Sequence, residues 1–283
     1  MTDLFTPMDA TERATSTRDY VARMRERDGL PDPVHRTLEK RERFFHDEVE
    51  ARPVRWSGDA VVDPEVFRRN LDLHVPETGL DERTLWALAS AKINRGERYG
   101  VELSMKKAGP SAIHPDDPHA YQELQELYHT RILQDVVETL GLEMSMSPPR
   151  ASLKLLIGAM TSLPKPMGNV LIFVAELVGA TVFGMMLAKA RALFAEQPTV
   201  LARIEALLGQ ILTDEVGHVR LMRASLGPVG LTVAGWLVGP VARRMVGDMP
   251  EVDQLFGRRE VAARVMATDL AALDDLAHVQ LAA

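Results

Sequence analysis

Glu126 and His129 stand three residues apart, and so do Glu215 and His218. On a helix this spacing puts carboxylate and imidazole on the same face, one turn apart. Both pairs continue an apolar seam. One seam reads Glu126, His129, Leu133, Val136, Leu140, and the other reads Leu201, Ile204, Leu208, Ile211, Glu215, His218, Met222. Such a seam faces a packed core, where an unpaired carboxylate is costly. A divalent cation removes that cost, because carboxylate and neutral imidazole are its natural ligands.

Glu176 adds a third acid of the same kind. It is the sole charge within 169–186, so a helix there offers it no polar face and it needs an internal partner. The segment nearest 100 offers two acids. Glu102 lies four residues from both Arg98 and Lys106, the spacing of a solvent-side ion-pair row. Glu97 instead continues the seam Trp86, Ser90, Ile93, Glu97, Gly100, and it is the expected fourth carboxylate. The 283 residues include no cysteine, which excludes thiolate zinc, iron–sulfur and thiol-nucleophile chemistry. Any metal must therefore be held by His, Asp and Glu. The carboxylates Glu97, Glu126, Glu176 and Glu215, with the imidazoles His129 and His218, carry the charge that balances two ferrous or manganous ions.

Helical periodicity and stop signals predict the elements that position these groups. Four long helices are expected over about 81–107, 118–141, 166–196 and 198–227, the first stopped by Gly109-Pro110 and the last capped by Thr199. Short links within each pair and a connection of about 25 residues between the pairs predict two antiparallel hairpins with a long crossover. That is the connectivity of an all-α, ferritin-like four-helix bundle, expected over 78–227. Residues 1–77 are charged and broken by proline, with short helices near 11–27 and 34–51, and are expected to pack on the core. Residues 228–283 read as a C-terminal helical extension: an apolar stretch Val229–Val241, then Arg243-Arg244, then one helix from Pro250 to the end. The stretch 229–241 reads as a core-covering helix or, given Trp236 and the arginine pair, as a contact for a membrane surface or partner; it is too short to span a bilayer. A net charge of −7 argues against a nucleic-acid partner. The polar, acid-bearing start lacks the features of a secretory peptide, so a cytoplasmic location is expected.

The ligand order Glu, Glu-x-x-His, Glu, Glu-x-x-His over residues 81–227 resembles the ferritin-like di-iron carboxylate superfamily. The run Asp214-Glu215-Val216-Gly217-His218-Val219 is similar to the fourth-helix motif of that superfamily. The resemblance implies two iron ions, with manganese accepted by the same ligands, and dioxygen as co-substrate. It implies that Glu126 and Glu215 are the bridging, catalytic pair, that Glu97 and Glu176 are terminal ligands, and that His129 and His218 bind one metal each. It further implies that Asp214 backs His129 by a hydrogen bond; the equivalent place before Glu126 holds Gln125. Gly179 and Ala180, beside the third-helix glutamate, would leave room for a substrate. The expected function is an O2-dependent oxygenase, of hydroxylase or N-oxygenase type, acting on a small to medium organic substrate. An external reductase or ferredoxin would supply electrons, and a homodimer is an allowed assembly. The competing readings are a dimanganese catalase or peroxide-handling protein on the same ligands, and a non-enzymatic helical protein of the membrane surface.

Overall fold

A computed structural model describes residues 3–108, 114, 116–145 and 147–278. Their regular structure is helical almost throughout. In chain order the helices are α1 (Ala10–Asp28), α2 (Glu39–Phe44), α3 (Pro64–Leu71), α4 (Glu82–Ala108), α5 (Pro118–Thr139) and α6 (Ala151–Ser162). They continue with α7 (Lys165–Leu193), α8 (Pro198–Ser225), α9 (Pro228–Gly247), α10 (Pro250–Phe256), α11 (Arg258–Ala267) and α12 (Leu270–His278). A two-residue antiparallel ladder, β1 (Pro31–Asp32) with β2 (Thr37–Leu38), links α1 to α2.

Local sequence explains where the helices begin. Proline opens α3, α5, α8, α9 and α10, where its missing N–H has no helical partner to lose. A capping box of Asp9 and Glu12 starts α1. The interior is built on α4, α5, α7 and α8. Helix α4 packs on α5, α7 on α8 and α5 on α8, while α4 also touches α7. Trp86, Tyr121, Phe173 and Phe183 are among the largest side chains sealed between them. Helix α7 is the one described helix long and apolar enough to cross a membrane, yet 67% of its most apolar window is buried by its neighbours. Its apolar circumference is that of an enclosed helix. Helix α6 occupies the long connection and lies on α4 and α7, α1 covers α5 and α8, and α9 covers α7.

Several boundaries differ from expectation. Residues 34–51 do not form one helix. Asp32 accepts hydrogen bonds from the backbone of Val34 and His35, and Arg36 takes a positive φ of 56°, which turns the chain before α2 begins. A π-helical turn, Phe45–Glu50, follows α2. Thr199 is not a cap: Pro198 already starts α8, and Gln197 precedes it without a side-chain bond. The segment after Pro250 is three short helices rather than one, broken at Gly257 (φ 74°) and restarted by Asp269, which accepts from the backbone of Ala272. The stop expected at Gly109-Pro110 lies outside the described residues.

Candidate metal centre

The six side chains singled out from the sequence converge from four helices. Glu97 comes from α4, Glu126 and His129 from α5, Glu176 from α7, and Glu215 and His218 from α8. Their ligand atoms form two groups, each with all atoms within 4.8 Å of one another: Glu126, Glu176, Glu215 and His218 in one, Glu97, Glu126 and His129 in the other. Glu126 belongs to both. Its Oε1 lies 3.1 Å from His218 Nδ1 and its Oε2 lies 3.3 Å from His129 Nδ1, so one carboxylate spans the two imidazoles. Glu215 reaches across as well, with Oε1 3.6 Å from His129 Nδ1. Glu176 Oε2 is 3.3 Å from His218 Nδ1. Glu102 is elsewhere, holding Arg98 at 2.7 Å on the exposed face of α4.

Both imidazoles are completely buried and are fixed through Nε2. His129 Nε2 donates to Asp214 Oδ2 at 3.1 Å. His218 Nε2 donates to Gln125 Oε1 at 2.9 Å. The direction of the second bond follows from the amide, whose nitrogen is committed to Asp28 Oδ2 at 2.7 Å. Each ring therefore turns Nδ1 toward the cluster. His129 Nδ1, His218 Nδ1 and Glu215 Oε2 are buried with no hydrogen-bond partner; the nearby carboxylate oxygens are close but misaligned. Unpartnered polar atoms on a buried imidazole are rare in a finished core. Here three such atoms share one place, and a cation would use all of them.

The groups that hold Asp214 and Gln125 come from α1 and α2, which contribute nothing to the cluster. Arg41 donates to Asp214 at 2.6 and 2.8 Å and to Asp28 at 2.8 Å. Arg27 also binds both Asp214 and Asp28. Tyr20 donates to Gln125 Oε1 at 3.1 Å. Gln125 thus stands toward His218 as Asp214 stands toward His129, and both are anchored to the same Asp28–Arg41 node. A further residue not anticipated from sequence is Gln122, whose amide donates to Glu176 Oε1 at 2.7 Å and holds that carboxylate toward the cluster. Its signal was present: it lies one turn before Glu126, on the same face of α5.

Charge is balanced by protons when no cation is bound. Burial drives Glu97 well above the usual carboxylate range, helped by the charge of Glu126, and it does the same to Glu215 beside Glu176 and Glu126. Burial would also neutralise Glu126, but the two imidazoles outweigh it and hold this carboxyl well below its ordinary value. Burial opposes charge on His129 and His218, yet the surrounding acids win and push them up to about 9 and about 10. Asp214 is held low against its burial by Arg27 and Arg41.

A cavity of about 380 Å³ opens beside the cluster, with Glu97, Glu126, Glu176 and Glu215 in its wall. The rest of the wall is mostly apolar, including Ile93, Val101, Leu156, Ile157, Val182 and Phe183. Helix α6 roofs it lengthwise. A Cβ on Gly96 would meet Leu153 at 3.4 Å, and one on Gly100 would meet Ile157 at 3.9 Å, so α4 and α6 advance side by side. Gly179 lines the cavity, as expected, and its missing side chain also makes room for a carboxylate: a Cβ there would stand 2.6 Å from Glu215 Oε2. Ala180 is fully buried in the core and does not line the cavity.

No protein-family model matches the chain, and neither any curated protein nor any solved structure matches it.

Proposed function

We propose that this chain is an O2-dependent, non-haem di-iron oxygenase built on a ferritin-like bundle, acting on a small to medium, largely apolar substrate. The observation that carries this reading is the orphaned Nδ1 of two buried histidines facing carboxylates that form two groups sharing Glu126. The donor set fits two ions of iron or manganese, being all oxygen and imidazole nitrogen with no thiolate. Glu126 and Glu215 would bridge them, Glu97 and Glu176 would be terminal ligands, and His129 and His218 would serve one ion each. When bound, such a pair supplies reversible electron transfer and Lewis acidity toward dioxygen.

The chain's own residues do the rest. Asp214 and Gln125 fix the tautomer and orientation of the imidazoles. Gln122 restrains Glu176. The cavity walls exclude water and place an apolar substrate against the carboxylates. In the overall reaction one atom of dioxygen enters the substrate and the other leaves as water. Two protons from solvent and two electrons from a separate reductase or ferredoxin complete the balance.

The test is metal analysis after anaerobic ferrous loading, followed by exposure to oxygen. About two irons per chain are expected, with an absorbance change on oxygenation. His129→Ala and Glu215→Ala should each lose iron; two irons retained in both variants would overturn the assignment. Rapid peroxide breakdown without any reductant would favour the catalase reading instead.

A further inference from the structure

Helices α6 and α9 both lie outside the central helices, α6 on α4 and α7 and α9 on α7. They are tied together at one end. Ser152 near the start of α6 donates to Asp248, just past the end of α9, at 2.8 Å. Beyond the other end of α6, Asn169 of α7 donates to Ser225 of α8, three residues before α9 begins, at 3.4 Å. Five of the ten large apolar side chains exposed among the described residues lie here: Leu155, Leu163, Met167, Val229 and Trp236. Trp236 is 70% exposed, and Leu155 and Val229 are more so.

The two helices should not look like this on a surface facing only water. Helix α6 reads ASLKLLIGAMTS, apolar on both sides, yet Ile157 is its single fully buried residue. Helix α9 buries Leu231, Ala234, Val238, Ala242 and Val246, while its opposite side carries Val229, Trp236 and Pro240 before ending in Arg243 and Arg244. Charge separates an occupant of one kind from others. The chain has 40 acids, but none occurs over 144–175 or 216–247. The charges along α6, the start of α7 and the end of α9 are Arg150, Lys154, Lys165, Arg243 and Arg244; Asp248, just past α9, is buried against Ser152 and lies 3.5 Å from Arg244. An apolar centre with an all-basic rim complements a negatively charged lipid surface. A second copy of this acidic chain would bring the same basic rim against itself.

We propose that the α6–α9 face docks on an anionic membrane surface, with Trp236 and Leu155 in the headgroup–acyl boundary and the basic rim on lipid phosphates. The inner side of α6 roofs the cavity, through Leu153, Leu156, Ile157 and Met160, so docking places that roof at the lipid. This proposal does not depend on the metal reading.

The full chain is mixed at low salt with vesicles of phosphatidylglycerol and phosphatidylcholine in equal parts, and with vesicles of phosphatidylcholine alone. Co-sedimentation with the first, a blue shift of tryptophan emission, and binding at least about tenfold weaker to the second are expected. Trp236→Ser should weaken binding about tenfold, and Arg243→Glu with Arg244→Glu should abolish the anionic preference. Because these side chains are exposed, unchanged thermal melting checks the variants' folding. Protein left in the supernatant with anionic vesicles, or Trp236→Ser binding like the parent, overturns the proposal. So does self-association in sedimentation velocity that Trp236→Ser abolishes, which would assign the face to a second copy.

Discussion

At the scale of single residues, the centre depends on groups that never touch a ligand position as much as on those that do. Gly179 is one. Replacing it with alanine brings a Cβ to 2.6 Å from Glu215 Oε2, and the carboxylate must move. Gly179→Ala is expected to lower ferrous affinity at least about tenfold in a metal titration. Metal-free thermal stability should hold or rise, because alanine favours a helix interior by about 0.5–1 kcal/mol over glycine. Equal affinity in the two proteins would refute the packing argument. Arg41 is the second case. It is 2% exposed and joins Asp28 to Asp214. Arg41→Met leaves buried carboxylates short of a partner, and a loss of about 3–5 kcal/mol is expected in urea unfolding. The six residues of the cluster were legible in sequence because each is an ionisable residue in phase with an apolar seam. Glu97 was separable from Glu102 on the same ground. Asp28, Arg27 and Arg41 were not legible, since each looks like one more charge in a charged, proline-broken stretch. Only the fold shows that they converge on residues far along the chain.

At the scale of elements, strong periodicity located α4, α5, α7 and α8 to within a few residues, while the short helices around them were misjudged. Side-chain-to-backbone bonds at Asp32 and Asp269 decide those breaks, and such bonds leave no periodic trace. Helix α5 carries a burden that can be measured apart from the metal. Burial, with the nearby charge of Glu138, pushes Asp135 up to about 6, against the pull of Arg131, Arg55 and Arg203. Its folded value lies above the ordinary 3.8, so its charge costs stability above pH 6 and nothing below pH 3.8. Asp135→Asn should therefore raise stability by about 1–2 kcal/mol at pH 8, and the gain should fade toward pH 4. A gain equal at both values would show that ionisation is not its cause.

At the scale of the whole molecule, the centre and the fold are coupled. The candidate ligands come from four helices and meet only in the native packing, so a cation held by them would bind the folded chain and stabilise it. With free metal at about 100 times its dissociation constant, the gain is about 2.7 kcal/mol. Ferrous or manganous ion should raise the melting temperature, a chelator should reverse the rise, and His129→Ala should show none. A melting temperature insensitive to metal in the parent protein would mean that the cluster is held by internal ion pairs alone.

The Arg41–Asp214 contact, whose ends are 173 positions apart, also sets an order on biosynthesis. Arg27, Asp28 and Arg41 emerge from the ribosome long before the helix that carries Asp214, Glu215 and His218. A nascent chain can offer Glu97, Glu126, His129 and Glu176, but not the partner that fixes the His129 ring. Metal captured then would sit among incomplete, unrestrained donors. Any metal held there would therefore load after translation has passed α8, onto a cluster whose charge protons balance until then.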